Sequence, residues 1–369
     1  MKFTISSSIF AGQLKIAGMA LAKKNPMPIL DCFHIEVKEG AMKITASNAE
    51  NSIITKVPLI DNQGEGVMCI KAETLMRAMS EIPDQPLLLE YNENSCELKG
   101  QYSGGEFSIV GMEADIFPPS VPVNEGSEIT LSSRELIAGV SLCLIATEED
   151  ELYVFKRGVF FDIRKDSLIL VATDGRKLVK KTLPGVKPGF EGGLLLPMKI
   201  AGILKGVTKK DCPATITFDQ MRATISIDDT TVYFRLLDAR FPNYNSVIPA
   251  QRTIKVLLER QALIGALKRV RVFSDHSNNF IKFELRQNEA IVTGQDLNYE
   301  TSGEEVVPCD YDGAPFSIGF ASTIFVEILN NIDTDNVILE MLAPERPCVC
   351  KPSGVEDDLL MLIMPMKIE

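Results

Sequence analysis

The chain has 369 residues, room for two or three domains, and its 45% hydrophobic and 24% charged residues are the balance of a globular protein. No apolar run reaches about 18 residues, which excludes a membrane-spanning helix, and the opening MKFTISSSIFAGQL is a poor signal peptide, so a cytoplasmic protein is expected. A net charge of −12 argues on its face against nucleic acid, but the acids cluster in loops (Glu148-Glu149-Asp150-Glu151 and Glu356-Asp357-Asp358) while many bases sit in or beside predicted helices, and one basic surface suffices to hold a polyanion.

Taken in order, Phe3 and Ile5 alternate with polar residues as a strand, and Ser8 stands where it can cap a helix whose buried stripe is Phe10, Leu14, Ala17 and Leu21. A basic loop from Lys23, KKNPMPI, is broken by two prolines. Strands are predicted around residues 33–37, 42–46 and 52–58, then a helix over 72–82 that Pro83 ends, then strands at 87–91, 95–99 and 106–110. The Pro-rich FPPSVPVNEGS from Phe117 closes this first unit. The second opens with a strand at 128–131 and a helix to Ile145, for which Ser132 and Glu135 have capping-box spacing. Strands at 159–163 and 168–172 lead into Asp174-Gly175, a tight-turn pair; 194–197 feeds another helix, and strands at 215–218, 222–227 and 232–236 follow. FPNYNSVIPA from Phe241 is the second linker, and a third unit repeats the order from Thr253 to the apolar tail LLMLIMPMKI.

Three markers recur in the same order, which predicts a three-unit chain divided as 1–124, 125–250 and 251–369. The hairpin LILVATDGRKLV has counterparts in MKITASNAENSI and AIVTGQDLNYET. The stripe Leu75, Met79, Ile82 recurs at equal intervals as Ile200, Leu204, Val207 and Phe325, Leu329, Ile332. A helix-like stretch opens each unit: 8–19, 132–145 and 259–272. Each unit is read as α+β, an antiparallel sheet with two helices on one face and a core of its own.

No GxSxG, HExxH or GxxxxGK[ST] occurs, and Gly64-Glu-Gly66 lacks the third glycine of a dinucleotide loop. The eight cysteines form no CxxC and read as buried free thiols of a reducing compartment. With two histidines and a need for about four ligands, neither metal nor cofactor is expected. Three copies of a scaffold without a catalytic motif point to a binding or architectural protein. The alternatives are an adaptor of three repeats that does not retain DNA, and an enzyme whose site is assembled across domains.

The start MKFTI, the turn ATDGRKL, the linker FPNY and the end MPMKI resemble the beta sliding clamp of bacterial DNA polymerase III, and the resemblance spans the chain. It implies a head-to-tail homodimer, a closed ring of six similar domains with two helices of each facing the hole. Twelve helices packed at about 9 Å give a ring of roughly 35 Å across, and removing about 10 Å of helix thickness leaves roughly 25 Å, wider than a DNA duplex. It also implies that double-stranded DNA is encircled without regard to sequence, and that there is no catalysis. The partners implied are the replicative DNA polymerase, a clamp loader and other proteins that insert a short peptide with Gln, Leu and Phe anchors.

Carried over by position, the peptide pocket comprises Thr173, Gly175, Arg176, Lys177, Leu178, Pro242, Val247, Leu362, Met364, Pro365 and Met366. Ser246 and Lys156 depart from the family, standing where an Arg and an apolar residue are usual. Lys24, Arg77, Lys199, Lys205 and Lys209 are expected to face DNA, whereas the second helix of unit three carries Glu327 and no base. Phe107 and Ile109 would meet Val272 and Phe273 of the second copy, and Glu106, which replaces a base, would oppose Arg269 or Arg271.

Overall fold

The computed structural model describes every residue except 124–125, 209, 297–298, 355–357 and 369. In the first repeat β1 (Lys2–Ser6) leads into α1 (Ser7–Gly18), and β2 (Cys32–Lys38), β3 (Ala41–Ser47) and β4 (Ser52–Pro58) form a meander. Short β5 (Asp61–Gln63) and β6 (Gly66–Lys71) bring the chain to α2 (Ala72–Glu81), and β7 (Pro86–Asn92), β8 (Glu97–Tyr102) and β9 (Gly105–Val110) end the repeat. The second repeat runs β10 (Ser127–Ser132), α3 (Ser133–Leu144), β11 (Gly158–Arg164), β12 (Ser167–Thr173), β13 (Lys177–Leu183), β14 (Gly192–Pro197), α4 (Met198–Val207), β15 (Pro213–Phe218), β16 (Arg222–Ile227) and β17 (Thr230–Arg235). The third runs β18 (Ile254–Glu259), α5 (Arg260–Val270), β19 (Phe280–Arg286), β20 (Glu289–Asp296), β21 (Thr301–Asp310), β22 (Phe316–Ala321), α6 (Ser322–Asn330), β23 (Asn336–Met341), β24 (Cys348–Pro352) and β25 (Leu359–Ile363).

The helical stripes read from the sequence lie inside: Leu75, Met79, Ile200, Leu204, Phe325, Leu329 and Ile332 are all buried, and only Ile82, just past the end of its helix, is partly exposed. Helix α1 packs against α2 and lies over β3 and β4; α5 packs against α6 and lies over β20 and β21. Phe283, Phe320 and Phe325 form one aromatic knot beneath α6, with ring centroids 5.0–6.4 Å apart.

The cap of α1 is Ser6, whose Oγ accepts from Ile9 N at 3.4 Å, and not Ser8. Ser8 is already inside the helix and donates to Asp84 Oδ1 at 2.6 Å. Between them Ser7 is fully buried, donating to Pro83 O and accepting from Gln85 N. Ser133 does the same with Lys210 O and Cys212 N, so one buried hydroxyl fixes the strand-to-helix corner in two repeats. At the start of α3, Ser132 Oγ accepts from Glu135 N at 3.3 Å, half of the expected capping box.

The three hairpins close at Ser47↔Ser52, Thr173↔Leu178 and Asp296↔Thr301. Four residues lie between each pair, so the two-residue turn suggested by Asp174-Gly175 is replaced by a longer one. The reason is side-chain chemistry: Asp174 Oδ1 accepts from Arg176 N and Lys177 N, both at 2.8 Å, and Thr173 Oγ1 bonds Lys177 O and Gly175 N. Asn48 and Ser47 make the same four bonds in the first repeat.

The sheets do not respect the repeats. Strand order is β5-β1-β7-β8-β9 in one sheet and β10-β15-β16-β17-β4-β3-β2-β6 in a second. The third sheet runs β14-β11-β12-β13-β25-β24-β23-β18-β21-β20-β19-β22. The first two repeats each divide their strands between two sheets, those of the third all join one, and antiparallel pairing of β17 with β4 and of β25 with β13 carries the ladder across each seam. Compact units accordingly cut through the second repeat, one comprising Met1–Leu136 with Gly202–Leu236 and the other Ile137–Ala201 with Leu237–Glu369.

Replacing Phe325, fully buried in the aromatic knot, by Ala is expected to destabilise by about 3–5 kcal/mol. Urea unfolding followed by tyrosine fluorescence checks this, with the second unit losing its transition first.

Candidate functional site

In the second unit the pairing of β13 with β25 sets Leu178 opposite Leu362, both buried. Phe241 and Tyr244 of the FPNY segment lie over this pair and join Val171 and Leu195 in one apolar cluster. Phe241 stacks on Phe160 with ring centroids 4.8 Å apart and planes within 6°. Tyr244 reaches past the cluster and donates its hydroxyl to Asp162 Oδ2 at 2.6 Å, a carboxylate that Arg164 also holds at 2.7 Å. Burial, and after it the carboxylate of Asp162, push the Tyr244 hydroxyl up to about 12, so it stays a donor.

Beside this lock is an open cavity of about 280 Å³, lined by Phe155, Thr173, Gly175, Lys177, Leu178, Pro242, Asn243, Tyr244, Ser246, Val247, Leu362 and Met364. Gly175 has φ +89, a backbone conformation that a side chain would strain, and it leaves main chain bare at the cavity edge. Val247 and Met364 are exposed apolar walls. Lys177 is nearly buried between Asp174 at 3.4 Å and Glu327 of α6 at 2.5 Å, so Glu327 is tied to the central hairpin and does not stand free on its helix. The rim is ionic: Lys156 bonds Asp150 at 2.9 Å beneath the Tyr153 ring, and Arg176 lies 3.7 Å from Glu148.

Of the residues read from the sequence, Thr173, Gly175, Lys177, Leu178, Pro242, Val247, Leu362 and Met364 come together here. Three do not line the cavity. Arg176 turns its side chain to Glu148 and offers its carbonyl to Met364 N at 2.8 Å. Pro365 and Met366 have already left, because Met366 N bonds Gly319 O and pins the tail along β22. Ser246, noted from the sequence as a departure from the family, also lines the cavity, whereas Phe155, Asn243 and Tyr244 were missed; FPNY itself contained two of them, while nothing local marks Phe155.

Lys24, Arg77, Lys199 and Lys205 are exposed and have no ion-pair partner among the described residues; Lys209 lies outside the described residues. Val272 and Phe273 are 67% and 41% exposed, with Phe273 lying against Gly303 of β21. Phe107 covers Gly100 and is partly exposed, but Ile109 is only 8% exposed and belongs to the core of its own unit; Val110 (69%) and Val306 (53%) are the large exposed apolar residues on these two strands. Arg269 is engaged by Glu305 through two bonds of 2.6 Å, so of the two arginines considered for Glu106 only Arg271 is left. Among the described residues β9 ends its ladder, pairing with β8 alone, and β21 lies on β20 along one edge while its other edge meets β18 only at Leu257↔Asp310 and Leu258↔Cys309 and is otherwise open.

Models of the DNA polymerase III beta subunit match in sequence order: its N-terminal domain over residues 1–122, its central domain over 130–243 and its C-terminal domain over 245–367. The chain belongs to the DNA polymerase III beta subunit family. Among its relatives, the Beta sliding clamp of Synechococcus elongatus is 25% identical over 376 residues, covering all of both chains, and that of Staphylococcus aureus is 24% identical, covering all of this chain and 99% of the relative. The solved beta subunit of Thermotoga maritima aligns over the full length of both chains with a TM-score of 0.91 and 27% identity. A Pseudomonas aeruginosa sliding clamp, solved bound to griselimycin, shares the fold with a TM-score of 0.94 at 22% identity, again over both full lengths. Among the described residues no helix is long and apolar enough to cross a membrane, and no cluster of three or more candidate metal ligands is present.

Tyr244→Phe keeps the ring and removes its bond to Asp162. The folded hydroxyl titrates above its ordinary value of 10, so its contribution is complete below pH 10 and lost as pH rises through about 12. The variant is expected to lose about 1 kcal/mol at neutral pH and to lack this alkaline decline, which urea titrations across the window check.

Proposed function

We propose that the protein is a DNA sliding clamp: a ring-shaped homodimer around duplex DNA that tethers the replicative polymerase, the clamp loader and other proteins carrying clamp-binding peptides. In this reading the repeats act as three domains, 1–124, 125–250 and 251–369, without catalysis and in the cytoplasm. The observation that carries the ring is the pair of unfinished ladders. Inside the chain, β17 joins β4 and β25 joins β13. In each repeat the matching strands are the last one (β9, β17, β25) and the third of the meander (β4, β13, β21). Two of the three possible junctions are made internally, and β9 and β21 are left over. An unpaired edge seeks a partner. A second copy offers each edge its complement, and a head-to-tail contact repeated twice closes a ring.

The internal junctions also fix the register. Tyr233 faces Ser52 and Leu362 faces Leu178, and the hairpins align Ser52 and Leu178 with Thr301. Tyr233 and Leu362 align with Ser108 through the β8–β9, β16–β17 and β24–β25 pairings. Ser108 of one copy should therefore face Thr301 of the next, bringing Phe107 and Val110 toward Phe273 and Val272. The exposed bases Lys24, Arg77, Lys199 and Lys205 suit loose, salt-sensitive phosphate contacts that hold no sequence in preference. Loaded on nicked circular DNA by a cognate loader, the protein should stay bound until the circle is linearised and then run off the ends. A double Ser108→Cys, Thr301→Cys variant should form covalent dimers on oxidation. Retention on linear DNA points instead to an adherent adaptor, and absence of cross-linked dimer sinks the register.

The cavity at Leu178, Val247, Leu362 and Met364 fits the apolar anchors of a partner peptide, with bare backbone at Gly175 and a polarizable Met in its wall. Met364 is 38% exposed, so Met364→Lys should leave the melting temperature near that of the parent while weakening a Gln-Leu-Phe-type peptide by about tenfold or more, because the bound peptide would cover the ammonium. Fluorescence anisotropy with a labelled peptide reads the loss; unchanged affinity would place the peptide elsewhere.

A further inference from the structure

The seam between the first and second repeats is a copy of the seam that carries the cavity above, with one group missing. Their strands correspond pair by pair: His34 faces Thr45 as Phe160 faces Val171, and Glu36 faces Lys43 as Asp162 faces Ile169. Tyr233 faces Ser52 as Leu362 faces Leu178. A Phe-Pro segment crosses each seam in the same way, Phe117 lying on His34 at 5.0 Å and Phe241 on Phe160 at 4.8 Å. Three residues beyond each Phe the copies part company. One has Tyr244, whose ring fills the space between Phe241, Val171 and Leu362 and whose hydroxyl bonds Asp162. The other has Ser120.

Where the ring would be, the first seam has a cavity of about 380 Å³, bounded by His34, Lys43, Thr45, Phe117, Ser120 and Tyr233. The Ser120 Oγ is buried and has no hydrogen-bond partner among the described residues. Lys43, a wall residue, bonds Glu36 at 3.2 Å, and Glu36 is the counterpart of the acceptor Asp162. The space is thus walled by aromatic rings and by Lys43, whose ammonium is held by Glu36 just behind that wall, and among the described residues the Ser120 Oγ at its edge is without a partner. Burial, and then Lys43, hold the His34 imidazole below its ordinary value, so it presents a neutral ring face.

We propose that this cavity binds a para-substituted phenol, its ring seated as Tyr244 is seated in the other seam and its hydroxyl on the Glu36–Lys43 pair. The ligand is either a free small phenol or a tyrosine side chain presented by another protein. Both share the ring and hydroxyl and differ only in the group attached at the para carbon. The inference rests on the internal repeat and the cavity, independently of the clamp reading.

The probe is p-cresol, titrated into the full-length protein by saturation-transfer NMR with toluene as the control. Saturable binding with a Kd of about 1 mM, the range open to so small a ligand, is expected. Toluene should bind up to about tenfold more weakly for want of the hydroxyl bond. Ser120→Tyr should fill the cavity from within, abolish p-cresol binding and raise the melting temperature. Lys43→Met, at a half-exposed site, keeps the cavity and should erase the preference for p-cresol over toluene, which gives a readout if Ser120→Tyr fails to fold. N-acetyltyrosinamide separates the sources: binding like that of p-cresol assigns a protein tyrosine, and exclusion assigns a free phenol. No saturable p-cresol binding, or undiminished binding by a folded Ser120→Tyr, overturns the proposal.

Discussion

The constraint on which this molecule depends is that a strand edge has to be paired. Backbone N–H and C=O groups at the end of a ladder need partners or water, and this chain supplies partners across its repeat seams. The pairing of β13 with β25 sets Leu178 against Leu362, and the apolar surface so made accepts the Phe241–Tyr244 cluster. The lock at Asp162, the bare backbone at Gly175 and the cavity wall at Met364 all depend on that one ladder. Met364 itself is positioned by the Arg176 carbonyl at the end of the same pair of strands.

Charge acts locally. The acidic loop around Glu148 and Asp150 is absorbed in part by Lys156 and Arg176 at the cavity rim, and Glu327 by Lys177. Of these pairs only Arg176–Glu148 has both side chains well exposed and so contributes little to stability; Lys156 and Lys177 are largely covered in theirs. The carboxylate at Asp162 differs, since it is largely buried and closed off by Tyr244 and Arg164 together. A net charge of −12 therefore says little about any one surface.

Much of the architecture was legible because its signals are periodic. Helical stripes beginning at Leu75, Ile200 and Phe325, and hairpins with Asn48 or Asp174 at the turn, announce repeats without any knowledge of packing. Sheet continuity was not legible, because nothing local to β4 or β13 distinguishes a partner from its own repeat from one in the next. The same limit explains the site. Leu178, Pro242 and Leu362 were recognisable by motif, but Phe155 reaches the cavity only through contacts with Phe241 and Tyr153. Arg176 and Met366 were carried over by position from the family resemblance, whereas here the Arg176 side chain lies toward Glu148 and Met366 bonds the edge of β22. Ile109 fits an alternating strand, and alternation alone does not say which face meets the chain's own core.

The seams give the repeats an unequal status. Descent can copy the interval from one Phe-Pro to the next as a module, since the order of elements travels with it, and between the first two repeats the buried corner serine as well. Stability cannot be divided that way. An isolated middle repeat would carry β13 without β25 and β17 without β4, two ladders cut open, and the aromatic rings that cross the seam would lose the strands they cover. What is inherited as three parts thus has to be made as one piece, and a ribosome that stops after the second linker leaves a chain whose best-formed edge is still waiting for its last strand.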